Sequence, residues 1–191
     1  MLAALSPDVM TSSKIENEPA NSTQVKRRVL IVDDHPVFRH GITALINAEQ
    51  DLMVCGEASS SPSALEAMRT LRPDVALLDI SLPGTNGIEL IKLMKAEQPN
   101  LPLLMLSMHD ESLYALRALR AGALGYVMKV EALTHVLAAL RKVLKGEIYV
   151  SPEFSERLIF QAVQSVEGGM GSPVDKLSDR AGGSGGGKAD G

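Results

Sequence analysis

Five polar positions close apolar runs. Asp33 and Asp34 follow 29–32, Asp79 follows 75–78, Ser107 ends a run begun at 101, and Lys129 follows 125–128. Their types fit one chemistry. Three carboxylates in one pocket repel one another unless a cation joins them. Magnesium suits such a pocket, because it accepts a few carboxylates and keeps waters and a substrate oxygen. Lys129 supplies a mobile point charge for a phosphoryl oxygen. Ser107 supplies a hydroxyl for the same group. Asp79, at the centre, is a candidate nucleophile toward phosphorus, with the metal neutralising charge on the group transferred. Taken singly, a strand-terminal Asp is as readily a cap on the next helix. The joint set carries the reading.

The elements that position these residues are legible as alternation. Residues 29–32 form a continuous apolar run suited to a strand buried on both faces. A helix is expected over 36–47, with Val37, Phe38, Ile42, Leu45 and Ile46 at helical spacing and Pro36 in its first turn. The pattern continues as a strand over 52–56, a helix opening at Ser61-Pro62, and a strand over 75–79. A turn follows at Leu82-Pro83-Gly84. Further on come a helix over 86–97, a strand over 101–107, a helix over 112–121, a strand over 125–129 and a helix over 132–145. Five strand–helix units imply an α/β fold, a doubly wound five-stranded parallel sheet with helices on both faces. Ligands of such sheets bind beyond the carboxyl ends of the strands. All five polar residues stand at those ends.

This set resembles the receiver domain of two-component response regulators. The resemblance runs over about 27–150 and rests on Asp33-Asp34, the Asp79-Ile80-Ser81-Leu82-Pro83-Gly84 segment, Ser107, and Tyr126-Val127-Met128-Lys129. It implies a flavodoxin-like strand order of 2-1-3-4-5. Asp79 is then the phosphoacceptor, taking phosphate from a histidine kinase. Asp34, Asp79 and the backbone carbonyl of Ser81 bind Mg2+, with Asp33 assisting. Lys129 and Ser107 contact the phosphoryl oxygens, and Tyr126 is an aromatic switch that turns inward when Ser107 is drawn to the phosphate. Self-phosphorylation and slow autodephosphorylation are the only activities implied, and homodimerisation is the expected readout. Leu82 stands where many relatives have Met, and Val130 where many have Pro, so no cis peptide is expected there.

Asp33-Asp34-His35-Pro36 and Lys176-Leu177-Ser178-Asp179-Arg180 are similar to the NarL/FixJ (LuxR-type) subfamily, in which the second stretch opens a helix-turn-helix domain. Four regions are expected: a flexible leader over 1–26, the receiver over 27–148, a linker with a helix over 149–176, and over 177–191 a truncated or altered start of the DNA-binding domain. The last stretch is glycine-rich and has no recognition-helix pattern. DNA is then reached only through a domain beyond this stretch, and transcription control belongs to the intact regulator. The alternative is a stand-alone receiver acting by protein contact or as a phosphate sink. An aspartyl-phosphate hydrolase ranks below both, since Ser81 stands where such enzymes usually place a second acid.

Composition narrows the rest. The 191 residues carry a formal net charge of -4, so no global basic field holds nucleic acid. Aromatics are 3% with no Trp, which disfavours single-strand stacking platforms. One cysteine, Cys55, excludes an intramolecular disulfide and multi-cysteine metal sites; a buried, inert thiol in a reducing compartment is expected. No run reaches membrane-span length, and a soluble, cytoplasmic protein is expected. His35 is read as a loop residue at the rim of the site rather than a phosphorylated histidine or metal ligand. His40, His109 and His135 show no ligand spacing and are read as surface or packing residues.

Overall fold

The computed structural model describes residues 25–169. The expected glycine-rich tail, most of the leader and the end of the linker lie outside them. Strand β1 (Arg27–Val32) leads through a short acidic loop into helix α1 (Pro36–Asn47). Then come β2 (Leu52–Ala58), α2 (Ser61–Leu71) and β3 (Val75–Asp79). Two short strands, β4 (Ser81–Leu82) and β5 (Thr85–Asn86), precede α3 (Gly87–Glu97). The chain continues with β6 (Leu103–Ser107), α4 (Glu111–Ala121), β7 (Gly125–Met128), a 3-10 turn at Lys129–Glu131, α5 (Ala132–Leu144) and α6 (Pro152–Gly169).

The main sheet has the order β2-β1-β3-β6-β7 with every pair parallel. This is the doubly wound order expected, with β6 and β7 as its fourth and fifth strands. The two core layers follow from strand alternation. Leu30 and Val32 face one layer with Met68, Ile91 and Met94, under α2, α3 and α4. Val29 and Ile31 face the other with Ile42, Ile46, Val136 and Leu140, under α1 and α5. Each such fully buried aliphatic chain contributes roughly 1.5–3 kcal/mol through area removed from water.

Several boundaries differ from the sequence reading for local reasons. β6 starts at Leu103 because Pro102 has no N–H to donate; its carbonyl still accepts from the Ala76 amide at 3.0 Å. Asn86 is the cap of α3, its side chain accepting from the Ile88 amide, rather than a helical residue. In the same way Asp110 caps α4 by accepting from the Ser112 amide, which brings Glu111 into the first turn. The expected turn at 82–84 is a small hairpin, with β4 and β5 closing around Pro83-Gly84 and Gly84 at φ +74°. Lys129 stands in the 3-10 turn just past β7 rather than in the strand. α6 runs from Pro152 to Gly169, in the region of the expected linker helix.

The chain after α5 returns to the sheet. Tyr149 bridges Gly125 in parallel fashion, the Tyr126 amide donating to the Tyr149 carbonyl at 2.9 Å. α6 then places Phe154, buried, in the layer under α4, with Leu158 packed against it. No helix among the described residues is long and apolar enough to cross a membrane.

Candidate functional site

The carboxyl ends of β1, β3, β6 and β7 meet at one edge of the sheet. β1 has β2 and β3 as neighbours, so the chain turns to opposite sides there and leaves a crevice. Asp33 follows β1, and Asp79 ends β3. The backbone of Asp79 is clamped from behind: a Cβ on Gly87 would stand 2.4 Å from the Asp79 carbonyl oxygen and 2.7 Å from the Ile80 Cα. Only glycine lets the start of α3 pack so closely.

Asp33 and Asp79 are almost wholly buried, as is Lys129. The Lys129 ammonium lies 2.7 Å from Asp33 Oδ2 and 2.7 Å from Asp79 Oδ2, donating a well-directed hydrogen bond to the latter. It also stands over the Phe38 ring, 4.7 Å from its centroid, so α1 covers the lysine from one side. The other Asp79 oxygen, Oδ1, accepts from the Ser81 amide at 3.2 Å. Asp34 is more open, its side chain 29% exposed.

Asp33, Asp34, His35 and Asp79 each offer one ligand atom, all within 4.8 Å of one another. Two of the oxygens, Asp33 Oδ2 and Asp34 Oδ1, are buried without a hydrogen bond of good geometry, although the lysine and the His35 ring stand close by. One ammonium faces three carboxylates here. A divalent cation with hard oxygen ligands completes such a set, so the donors fit Mg2+.

Ser107 is buried at the end of β6, and its hydroxyl oxygen accepts from the His109 amide at 2.9 Å. Tyr126, in β7, is turned inward and 1% exposed, and its hydroxyl donates to the His109 carbonyl at 3.0 Å. Burial pushes its phenol up to about 12. The loop after β6 is thus held from both sides, by Ser107 and by Tyr126. The His109 side chain reaches Ser81 across the mouth of the crevice, Nε2 lying 3.4 Å from Ser81 Oγ, and packs beside the Tyr114 ring. Ser81 itself is exposed.

The structure brings Asp33 and Asp79 into contact with Lys129, sets Asp34 within 4.8 Å of both carboxylates, and bonds Ser81 to Asp79; Ser107 at the end of β6 and Tyr126 in β7 both bond the adjoining loop at His109. Sequence reasoning took Asp33 as the assisting member of the acidic pair. In the structure it is the deeper one and touches the lysine. His35, expected at the rim of the site, turns its ring in among the carboxylates, and His109, expected to be a surface or packing residue, stands at the centre of the loop that Ser107 and Tyr126 hold. Their signals were adjacency, one residue past Asp34 and two past Ser107. Cys55 is half-buried rather than buried, and partial burial raises its thiol above the ordinary range. It lies on β2, and nothing connects it to this site.

The family model of the response regulator receiver domain matches residues 29–141. The response regulator GacA of Pseudomonas aeruginosa is 34% identical over 153 residues, which cover 80% of this chain and 71% of that protein. Among solved structures, a LuxR-family two-component response regulator from Aurantimonas superposes with a TM-score of 0.67 at 32% identity, covering 72% of this chain and 99% of that one. The signal receiver domain of the putative response regulator NarL from Mycobacterium tuberculosis gives a TM-score of 0.60 at 34% identity, covering 64% and 98%.

Proposed function

The chain belongs to the response regulator receiver family, and from that premise we propose that Asp79 is the phosphoacceptor, taking a phosphoryl group from a histidine kinase. The observation that carries this reading is the buried carboxylate of Asp79 at the end of the central strand, with Lys129 2.7 Å from one oxygen and the Ser81 amide on the other.

The step is an in-line displacement. A lone pair on an Asp79 carboxylate oxygen forms the O–P bond as the P–N bond to the donor histidine breaks, and the imidazole leaves with that electron pair. Lys129 holds the acceptor carboxylate in place against the repulsion of Asp33 and stays beside the charge that arrives. Asp33, Asp34, Asp79 and the Ser81 carbonyl would hold Mg2+, which when bound neutralises charge on the phosphoryl oxygens. The same pocket would accept phosphate from small donors and release it slowly to water, the only activities proposed.

The switch follows from the loop. The Ser107 hydroxyl holds the His109 amide, so drawing Ser107 toward a phosphoryl oxygen pulls on the loop to which Tyr126 is also bonded. Phosphorylation thereby biases two arrangements of the α4–β7–α5 face. A homodimer through that face is the proposed readout, with transcription controlled through a DNA-binding domain of the intact regulator.

The test is intact mass after incubation with Mg2+ and acetyl phosphate. The protein gains a single phosphoryl adduct, and Asp79→Asn gains none. No adduct, or an adduct that survives the substitution, overturns the assignment.

A further inference from the structure

His35 occupies the first-cap position of α1, where a side chain ordinarily bonds a free amide of the first turn, yet it makes no such bond. Its backbone is fixed: its amide donates to Asp33 Oδ1 at 2.8 Å, and Pro36 follows as the first helical residue. The ring is turned instead toward the carboxylates. Nδ1 lies 2.8 Å from Asp34 Oδ1, 3.2 Å from Asp33 Oδ1 and 3.7 Å from Asp79 Oδ2. In an octahedral site with bonds near 2.1 Å, neighbouring ligand atoms stand roughly 3 Å apart. The three separations bracket that edge, so Nδ1 sits where a further ligand of the same cation would sit. Asp34 Oδ1, the oxygen nearest Nδ1, is buried without a well-formed hydrogen bond, and one ligand atom from each of Asp33, Asp34, His35 and Asp79 lies within 4.8 Å of the others.

We infer that His35 Nδ1 is a ligand of the divalent cation and shifts the preference of the pocket from magnesium toward first-row transition ions such as Mn2+. Oxygen-only sites suit magnesium, whereas an imidazole nitrogen favours the transition ions. The inference rests on the pocket being the cation site. His35 is 59% exposed at its side chain, so the ring forms the outer wall of the site and its removal takes nothing from the core.

The experiment uses the full chain and measures Mn2+ and Mg2+ binding by calorimetry, together with pulsed electron paramagnetic resonance of the bound Mn2+. Wild type shows nitrogen hyperfine coupling to Mn2+. His35→Ala loses that coupling and binds Mn2+ on the order of tenfold more weakly, with Mg2+ affinity unchanged or tighter. His35→Gln, which keeps a polar group at the rim, behaves as His35→Ala. Absence of nitrogen coupling in wild type, or an equal loss for both ions in His35→Ala, overturns the role of His35 while leaving the pocket as the cation site. Failure of wild type to bind either ion, or binding of both undiminished in Asp34→Asn, overturns the cation site itself and the inference with it.

Discussion

Lys129 is the residue on which the acidic pocket balances. Its ammonium touches Asp33 and Asp79, and all three are buried. Lys129→Met leaves those carboxylates facing each other and Asp34 with no protein cation of comparable burial beside them. Removing one partner of a buried ion set costs on the order of 3 kcal/mol. We expect chemical denaturation in a chelator to show that loss and added Mg2+ to recover part of it; unchanged stability in the chelator would mean the lysine is not structural. Tyr126 gives a second test. Its phenol is raised to about 12 by burial, against about 10 in an unfolded chain. The native state therefore keeps a proton that the unfolded state gives up. The contribution is complete below pH 10 and is lost as pH rises toward about 12, by roughly 2 kcal/mol. Stability curves of wild type and Tyr126→Phe should converge or cross over that window, and parallel curves would contradict the buried, inward ring.

At the scale of elements, α6 is the test of how the sheet meets the segment after it. Ser151 donates its amide to the buried Glu111 of α4 at 2.9 Å, and Phe154 fills the layer beneath α4. Phe154→Ala removes a fully packed ring at a cost of about 3 kcal/mol. Because Phe154 and the Ser151–Glu111 bond anchor α6 at the margin of the sheet, limited proteolysis should cut α6 of the variant well before the sheet; simultaneous loss of both would show α6 to be part of the global fold. This element also marks where the sequence stopped being legible. The three central strands are readable because burial on both faces makes them continuous apolar runs, as at 29–32 and 75–78. β4 and β5 have two residues each, too few for any period to register. The Tyr149 bridge to β7 and the Glu111–Ser151 bond join residues far apart in the chain, and neither leaves a local pattern. The polar strand ends were readable for the same reason as the strands: a charge that stops an apolar run. His35 was readable only as a rim residue and His109 not at all, because what they touch is set by the loops and not by a periodic element.

Across the whole molecule, one contact ties the first third of the chain to its last sheet-covering helix. Arg141 of α5 grips Asp51 with two nitrogens, at 2.7 and 2.8 Å, and Glu49 at 2.5 Å, across 90 residues of sequence. The arginine holds the Asp51 carboxyl below its ordinary range. A depressed carboxylate stabilises the fold above its unfolded value near 3.9 and ceases to do so as pH falls through the folded value. Both side chains are more than a third exposed, so solvent limits the effect to less than about 1 kcal/mol. Asp51→Asn should therefore lose up to that amount at pH 7 and little or nothing near pH 3, which flattens the acid limb of its stability profile; a loss of equal size at pH 7 and pH 3 would contradict the charge origin.

The sheet order, the crevice at β1 and β3, and the glycine behind Asp79 all serve to present one carboxylate oxygen. The most direct measurement is therefore chemical location of the phosphate. After incubation with Mg2+ and a phosphodonor, borohydride reduces an aspartyl phosphate to homoserine, which peptide sequencing by mass spectrometry places in the chain. The account predicts homoserine at position 79 alone, dependent on donor and Mg2+. Homoserine at 33 or 34, or a phosphoryl group recovered on His35 with Asp79 untouched, would contradict it.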